Sequence, residues 1–205
     1  MPNPVLLTAI SGGIGSGKSV VSRMLRAMGR RVYDCDSEAK RLMDESSSIK
    51  QRLSREIHSE CVRADGSIDR ALISEIVFAD AAMLARLNSI VHSAVRADIA
   101  ARMALCASAD EGVGEMFVET AILYQSGLNE MVDRVWEVTA PVELRIERVM
   151  KRNSLSRKEV EARILSQNHE RESALIVPPT FTLINDGLTP LLPRVEELLE
   201  STAEI

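Results

Sequence analysis

The sequence contains few aromatic residues, and its charge balance is negative. Phenylalanine, tryptophan and tyrosine together make up 3% of the 205 residues. Proteins that hold single-stranded nucleic acid stack its bases on aromatic side chains, so this scarcity argues against that class. The net charge of −5 at pH 7 also lacks the basic excess of proteins that bind duplex DNA or RNA. We therefore expect a core built from aliphatic side chains and no nucleic-acid partner.

Cysteines and long apolar runs are also scarce. The three cysteines, Cys35, Cys61 and Cys106, are scattered and form no Cys-x-x-Cys pair. This pattern argues against a disulfide framework or a thiolate zinc site, and it is typical of a reducing compartment. No segment approaches the roughly 20 apolar residues that span a bilayer, and the first residues lack the features of a secretory signal. We expect a cytoplasmic protein that has no membrane partner.

Short apolar runs alternate with helical periodicity along the chain. The predicted strands cover residues 5–10, 31–33, 116–118, 135–138 and 181–184. This alternation predicts an α/β fold in which helices flank a parallel five-stranded sheet. Between the second and third strands, from 37 to 109, the signals are almost all helical. That stretch is too long for one crossover helix, so we predict a helical subdomain inserted after the second strand.

The first predicted strand leads into a glycine-rich segment that matches the phosphate-binding pattern G-x-x-x-x-G-K-[ST]. The segment, residues 12–19, reads Gly-Gly-Ile-Gly-Ser-Gly-Lys-Ser and precedes a predicted helix. Such a loop turns backbone N–H groups toward a phosphate, and the N-terminus of the helix faces the same anion. Lys18 would reach the β- and γ-phosphates, and the Ser19 hydroxyl would ligate Mg²⁺. The residues predicted to bind a nucleoside triphosphate are Gly13, Ile14, Gly15, Ser16, Gly17, Lys18, Ser19 and Val20. GTPases, motor ATPases and small-molecule kinases share this loop, so it does not fix the reaction.

Two aspartates, Asp34 and Asp36, follow the second predicted strand on either side of Cys35. Residues two apart in an extended segment point the same way, and ligands bind at the carboxyl edge of such sheets. One carboxylate there can act as the base for an attacking hydroxyl or hold Mg²⁺ through water. The same spacing also fits a solvated turn with an aspartate helix cap. Both interpretations stay open on spacing alone.

At this point the sequence resembles the dephospho-coenzyme A kinases. The motifs that carry the resemblance run in order over nearly the whole chain and include 12–19, Val-Tyr-Asp-Cys-Asp at 32–36, Asp-Gly-Ser-Ile-Asp-Arg at 65–70, Ile-Val-His at 90–92, the segment 145–152 and Asn-Asp-Gly at 185–187. The resemblance implies ATP-dependent phosphorylation of the 3′-hydroxyl of dephospho-coenzyme A. It also implies the three-layer fold of P-loop nucleoside triphosphate hydrolases, with a helical coenzyme A-binding subdomain and a mobile lid. The nucleotide-binding core would be 1–36 and 112–205, including a lid at about 145–170, and the subdomain would be 37–111.

The resemblance also assigns roles to individual residues. It implies that Asp36 is the catalytic carboxylate, which either deprotonates the acceptor hydroxyl or positions the Mg²⁺ that Ser19 ligates. We therefore take Ser19 and Asp36 as the metal ligands. The substrate-binding residues that it implies are Asp34, Asp36, Lys40, Arg70 and His92. His92 can also be interpreted as a structural histidine, and Asn185, expected beside the adenine of ATP, equally fits a plain Asn-Asp-Gly turn.

Three arginines follow the fourth predicted strand at helical spacing. Arg145, Arg148 and Arg152 form one stripe beside an apolar stripe. Loose phosphoryl-transfer transition states gain most from such positive clamps. We predict that Arg148, together with Lys18, stabilises charge on the transferring phosphoryl group, with Arg152 also in the lid. The alternative is a solvated helix face whose arginines pair with neighbouring glutamates.

The chain departs from the family pattern at several positions, and other functions remain possible. Ser93 follows His92 where the family has proline, and Gln125 stands where it has a carboxylate. A kinase for another small acceptor, such as a nucleoside monophosphate, would have a similar core and lid, but the insertion after Asp36 favours the longer pantetheine-bearing substrate. A GTPase would need a guanine-selective Asn-Lys-x-Asp motif, which the sequence lacks. For the assembly we expect a monomer or a weak homo-oligomer.

Overall fold

Strands and helices alternate along the chain, except in one long helical stretch between the second and third strands. The computed structural model of the protein describes residues 5–108, 114–172 and 175–201. The strands are β1 (Leu6–Ser11), β2 (Val32–Asp34), β3 (Glu115–Glu119), β4 (Arg134–Thr139) and β5 (Thr180–Ile184). The α-helices of the described residues are α1 (Lys18–Ala27), α2 (Cys35–Glu45), α3 (Ser47–Glu56), α4 (Arg70–Ala79), α5 (Ala81–Ser108), α6 (Val142–Asn153), α7 (Arg157–Glu172) and α8 (Leu191–Glu200).

The five strands form one sheet in the order β2-β3-β1-β4-β5. The central strand β1 runs parallel to β3 and β4, with Ala9 opposite Val118 and Val135, and β5 runs parallel to β4. A parallel sheet with both faces covered has strands that read as continuous apolar runs, as β1 does. The prediction of a parallel five-stranded sheet flanked by helices is confirmed. Because β1 lies between β3 and β4, the strand order reverses at its carboxyl end, where folds of this kind bind their ligands.

One face of the sheet packs against α1 and α8. The buried cluster there consists of Ile10, Val21, Leu25, Phe117, Trp136, Val138, Leu183, Leu191, Val195 and Leu198. Most of these side chains are aliphatic, as the composition predicts. Phe117 and Trp136 depart from the expectation of an aliphatic core. Both are fully buried, with ring centroids 5.1 Å apart and ring planes tilted by 60°. The sequence has few aromatic residues, but two of them sit side by side in this core, where large rings bury the most apolar area.

A buried polar group joins the three central strands. The Arg134 guanidinium donates to Thr8 Oγ1 at 2.8 Å and to the Glu115 carboxylate, and the Thr8 hydroxyl donates to the same carboxylate. All three side chains are buried, so each polar group needs a partner to offset its lost hydration. A shift in the pairing of β1, β3 or β4 would separate these partners. The group therefore ties the register of the three strands together.

The chain divides into two compact units, Met1–Tyr33 with Asp110–Ile205 and Asp34–Ala109. The first contains β1, β3, β4 and β5 with α1, α6, α7 and α8, while α2 to α5 belong to the second. The second has its own apolar cluster, formed by Ile49, Leu53, Cys61, Ile68, Ile73 and Ile90. The predicted boundary at 111–112 lies outside the described residues. The assignment of one unit to the nucleotide and the other to coenzyme A stays a prediction.

The longest helix, α5, runs through the second unit. It buries Ile90, Val95, Ile99 and Cys106 and exposes the rest of its surface to varying degrees. With about 3.6 residues per turn, Ile90 lies on the opposite side of the helix from Val95, Ile99 and Cys106, so the burial of α5 does not follow the single apolar stripe that its spacing predicts. Within 5–108, 114–172 and 175–201, no helix combines the length and the apolar character needed to cross a bilayer.

Candidate functional site

The glycine-rich segment forms the turn between β1 and α1. Gly17 immediately precedes α1 with φ +102, a left-handed conformation that glycine adopts without strain. A Cβ at Gly17 would lie 2.0 Å from Asn185 Nδ2, and one at Gly12 would lie 2.2 Å from the Val138 carbonyl oxygen. Side chains are therefore excluded at both positions. The turn leads directly into the N-terminus of α1, an arrangement that concentrates N–H groups around an anion.

Lys18 is folded over the start of this loop. Its ammonium donates to the Gly12 carbonyl at 2.7 Å and lies 3.4 Å from the Gly13 carbonyl oxygen. Ser19 follows in the first turn of α1 and is exposed. The structure thus places the Lys18 ammonium and the Ser19 hydroxyl at the same loop. This is the arrangement that the sequence motif predicts for a triphosphate with a divalent cation.

Three successive loop carbonyls are held from outside by side chains of α6 and of the turn after β5. The bonds are Arg145 Nε to Ile14 O (2.9 Å), Arg148 Nη1 to Gly15 O (3.5 Å) and Asn185 Nδ2 to Ser16 O (2.8 Å). In a trans peptide the C=O and the following N–H point to opposite sides. Holding the carbonyls on one side therefore turns the N–H groups of Gly15 and Gly17 to the other side, while the Ser16 N–H donates to the Gly13 carbonyl at 3.2 Å. This orientation is the one that anion binding requires.

Asn185 links Arg148 to the loop. Arg148 donates to the Asn185 backbone carbonyl at 3.1 Å and to its Oδ1 at 3.3 Å, while Asn185 Nδ2 bonds Ser16 O. The sequence predicts Arg148 as a phosphoryl clamp and Asn185 as a neighbour of adenine, and both roles stay predictions. What the structure adds is that both side chains bond the outer side of the loop. Arg152, the other predicted lid arginine, is exposed and bonds Asn153 Oδ1.

Arg145 is the loop contact that the sequence did not single out. The apolar stripe of α6 packs Ile146 and Val149 against α7 and against Ile14 of the loop. This packing brings the loop beside the neighbouring Arg145. The available signal was the place of Arg145 next to a buried stripe position, but the sequence prediction favoured Arg148 and Arg152 instead. The predicted lid, about 145–170, covers most of α6 and α7, and its side chains at 167–170 lie outside the described residues.

The two aspartates after β2 have different positions. α2 begins at Cys35, so the expectation that Asp34 and Asp36 share an extended segment is wrong. Asp34 is the N-cap: its Oδ1 accepts from Asp36 N at 3.1 Å and Ser37 N at 3.2 Å. Asp36 is exposed in the first turn of the helix. The capping alternative therefore applies to Asp34, and the Asp36 carboxylate projects from the helix into solvent.

The remaining predicted substrate residues also belong to the second unit. Asp36, Lys40 and Asp44 are four residues apart on α2 and so share one helix face. Arg70, at the start of α4, donates to both Asp44 carboxylate oxygens at 2.8 and 2.9 Å. The structure thus brings Arg70 to the helix that carries Lys40. His92 is half-buried in α5, and burial, followed by the charge of Arg96, lowers its pKa, which leaves the ring neutral at pH 7.

Asp34→Ala is expected to lower the free energy of unfolding by about 1 kcal/mol, because α2 loses its N-cap acceptor. Asp34→Asn keeps an oxygen acceptor at the same place and is expected to cost much less. Urea unfolding monitored by circular dichroism measures both changes. Equal losses for the two variants would contradict a capping role and show that the charge of Asp34 is what stabilises the protein.

Comparisons with known proteins agree on one family. Residues 6–188 match the family model described as dephospho-CoA kinase. The chain is 35% identical to a protein named dephospho-CoA kinase from Bacteroides fragilis, over 93% of this chain and 89% of that one. Among solved structures, TT1252 from Thermus thermophilus is similar with a TM-score of 0.70 and 30% identity, covering 98% of this chain and 97% of that one. A dephospho-CoA kinase from Campylobacter jejuni has the same fold, with a TM-score of 0.63 and 23% identity over 97% of this chain and 96% of that one.

Proposed function

Because the chain belongs to the dephospho-CoA kinase family, we propose that it transfers the γ-phosphoryl group of ATP to the ribose 3′-hydroxyl of dephospho-coenzyme A. The products are coenzyme A and ADP, the last step of coenzyme A synthesis. One observation carries the proposal beyond the family match. In the loop between β1 and α1, side chains bond the carbonyls of Ile14 and Ser16, and the Lys18 ammonium lies over the start of the loop at Gly12. This is the arrangement that a polyphosphate needs.

ATP is the co-substrate that a kinase of this family uses. The loop residues 13–17 offer backbone N–H groups, and Lys18 offers a positive charge to the β- and γ-phosphates. In-line transfer builds negative charge on the phosphoryl oxygens, and fixed positive groups stabilise it. We propose Lys18 and Arg148 for this task. The bonds from Arg148 to Gly15 and Asn185 support a place at the nucleotide.

Mg²⁺ is the metal we propose for the site. It prefers oxygen ligands and keeps several waters, so one or two protein oxygens with the substrate phosphates suffice. The exposed hydroxyl of Ser19 and the exposed carboxylate of Asp36 have the donor chemistry that this requires. Within the described residues no group of three or more histidines, cysteines or acids could hold a metal alone. When bound, the ion would neutralise charge on the phosphates.

Asp36 is the proposed catalytic carboxylate. Its side chain is exposed at the start of α2 and is not used in the helix cap, in contrast to that of Asp34. A carboxylate can accept the proton of the attacking 3′-hydroxyl or orient that hydroxyl. Asp34, Lys40, Arg70 and His92 are proposed for the acceptor, with residues 37–111 as the unit that binds it. Lys40 adds positive charge suited to the phosphates of dephospho-coenzyme A, and Arg70 adds less because Asp44 already pairs with it.

The experiment that tests the function is a kinase assay with ATP, Mg²⁺ and dephospho-coenzyme A, read by the formation of coenzyme A. We expect coenzyme A and ADP in equal amounts. AMP and CMP serve as competing acceptors, and we expect no phosphorylation of either. Faster phosphorylation of a nucleoside monophosphate would contradict the proposal. We propose the cytoplasm as the compartment and a monomer or weak homo-oligomer as the assembly, which gel filtration measures.

A further inference from the structure

Arg145 contacts the outer side of the phosphate-binding loop through both its side chain and its backbone. Its Nε donates to Ile14 O at 2.9 Å. A Cβ at Gly13 would lie 2.1 Å from Arg145 Nη2, and one at Gly15 would lie 2.6 Å from the Arg145 carbonyl oxygen. The guanidinium therefore occupies the space beside Gly13 that a side chain would need. Among the described residues, Arg145 thus comes close to two glycines of the loop, whereas Val138 and Asn185 each approach one.

The positive charge of Arg145 is poorly compensated. Its Nη2 is buried, and no described residue accepts a hydrogen bond from it. Among the described residues, no carboxylate offsets the effect of burial on the guanidinium. Burial alone lowers the pKa of Arg145. A buried donor without an acceptor destabilises a protein, and a charged one does so more strongly.

A second buried donor lacks a partner in the same place. Ser16 is 1% exposed, and its Oγ has no hydrogen-bond partner among the described residues. Ser16, Gly13 and Arg145 line one cavity of about 140 Å³, beside the loop, which Glu137 and Tyr124 also line. Buried polar groups without partners are rare in native proteins and call for an explanation.

We propose that Arg145 is a positioning residue of the phosphate-binding loop, whose undercompensated charge is stabilised when a polyphosphate binds on the opposite side of that loop. The side chain holds the Ile14 carbonyl outward, so the Gly15 N–H points to the phosphates. The charge polarises that peptide unit and strengthens its N–H as a donor. It also attracts the anion across the thin backbone layer, where screening by water is weak. The inference rests on the proposed function only in taking the triphosphate of ATP as the ligand.

Loss of the Arg145 charge is expected to leave the ligand-free protein as stable as before or more stable, and to weaken its binding of polyphosphate. Arg145→Met removes an undercompensated charge, so the ligand-free protein is expected to keep its Tm or gain up to about 3 °C. The same variant is expected to bind inorganic tripolyphosphate about tenfold more weakly, which is about 1.4 kcal/mol. Tripolyphosphate lacks both adenine and acceptor, so calorimetry with it reports the loop alone. Arg145→Lys keeps the charge and is expected to recover part of the affinity.

Lys151→Met is the matched control, because Lys151 is an exposed cation on the same helix. It is expected to change neither Tm nor tripolyphosphate affinity. In the kinase assay, Arg145→Met is expected to raise the KM for ATP about tenfold, with kcat and the KM for the acceptor changed far less. A purely structural arginine would instead lower the Tm of the ligand-free protein and leave tripolyphosphate affinity intact, and that result overturns the proposal. Failure of Arg145→Met to fold overturns it as well.

The two proposals can fail separately. A wild-type protein that binds tripolyphosphate but makes no coenzyme A contradicts the proposed function and leaves the role of Arg145 in place. A wild-type protein that makes coenzyme A, together with an Arg145→Met variant of unchanged tripolyphosphate affinity, contradicts only the role of Arg145.

Discussion

Lys18→Ala is expected to lower kcat/KM for ATP by about a thousandfold, with losses in both affinity and turnover. The ammonium lies at the start of the loop, 2.7 Å from the Gly12 carbonyl oxygen, in reach of the phosphates that the loop would hold. Removing one preorganised group that stabilises transition-state charge costs about 10²–10³ in rate, and the loss of ground-state binding adds to it. Steady-state kinetics with varied ATP concentration measures the loss of turnover, and calorimetry with tripolyphosphate measures the loss of binding.

Lys151→Ala is the control for the loss of a positive charge, since Lys151 is exposed on α6. The Tm of Lys18→Ala is expected to stay close to that of the wild type, because Lys18 contributes no side chain to the buried core. A loss of kcat/KM smaller than tenfold would mean that the loop binds phosphate by its backbone alone and that Lys18 has no part in transfer.

Asp36→Asn is expected to lower kcat by about 10²–10⁴, the usual contribution of a positioned proton acceptor, while the affinity for ATP stays within about threefold. The substitution keeps the shape of the side chain and removes its charge. Asp36 does not cap α2 but is an acidic residue of its first turn, so the loss of its charge is expected to cost about 0.5 kcal/mol of stability. Titration with ATP and single-turnover assays separate binding from chemistry.

The same variant distinguishes the two roles left open for Asp36. If the carboxylate mainly holds Mg²⁺, raising the Mg²⁺ concentration is expected to restore much of the rate. If it accepts the proton of the hydroxyl, excess Mg²⁺ is expected to restore none of it. Asp65→Asn is a matched control in the same unit, because Asp65 is exposed and bonds only within its own turn. Near-normal turnover of Asp36→Asn would remove Asp36 from the mechanism.

Local patterns were enough to predict the sheet and the loop. The apolar run before Gly12 became β1, and the glycine-rich motif became a turn into α1, because both signals lie within a few neighbouring residues. No strand boundary moved by more than one residue: β3, predicted at 116–118, covers Glu115–Glu119. The extended segment predicted for Asp34 and Asp36 failed for a local reason. Asp34 is a strong N-cap, and it starts α2 at the next residue.

The contacts around the loop could not be predicted in the same way, because they join distant parts of the chain. Asn185 and Ser16 are 169 positions apart, and Arg145 and Ile14 are 131 apart. Helical spacing placed Arg145 and Arg148 on one stripe, but it carries no information on which arginine lies deepest. That depth depends on how Ile146 and Val149 pack against Ile14 and α7. Only the folded arrangement of α6 beside the loop distinguishes the two.

The pairing of β1 with β3 has a consequence for how the chain folds. Thr8 and Glu115 are bonded to each other across 107 positions, and the whole of residues 34–109 lies between them. Bringing the ends of so long a segment together costs chain entropy, and such non-local contacts slow folding. A helical intervening unit with its own apolar cluster can order early and shorten the flexible span. During synthesis β1 and its loop emerge before β3 and β4, and they gain a central place in a sheet only when those strands follow. The loop after β1 is thus made well before the strands that complete its surroundings.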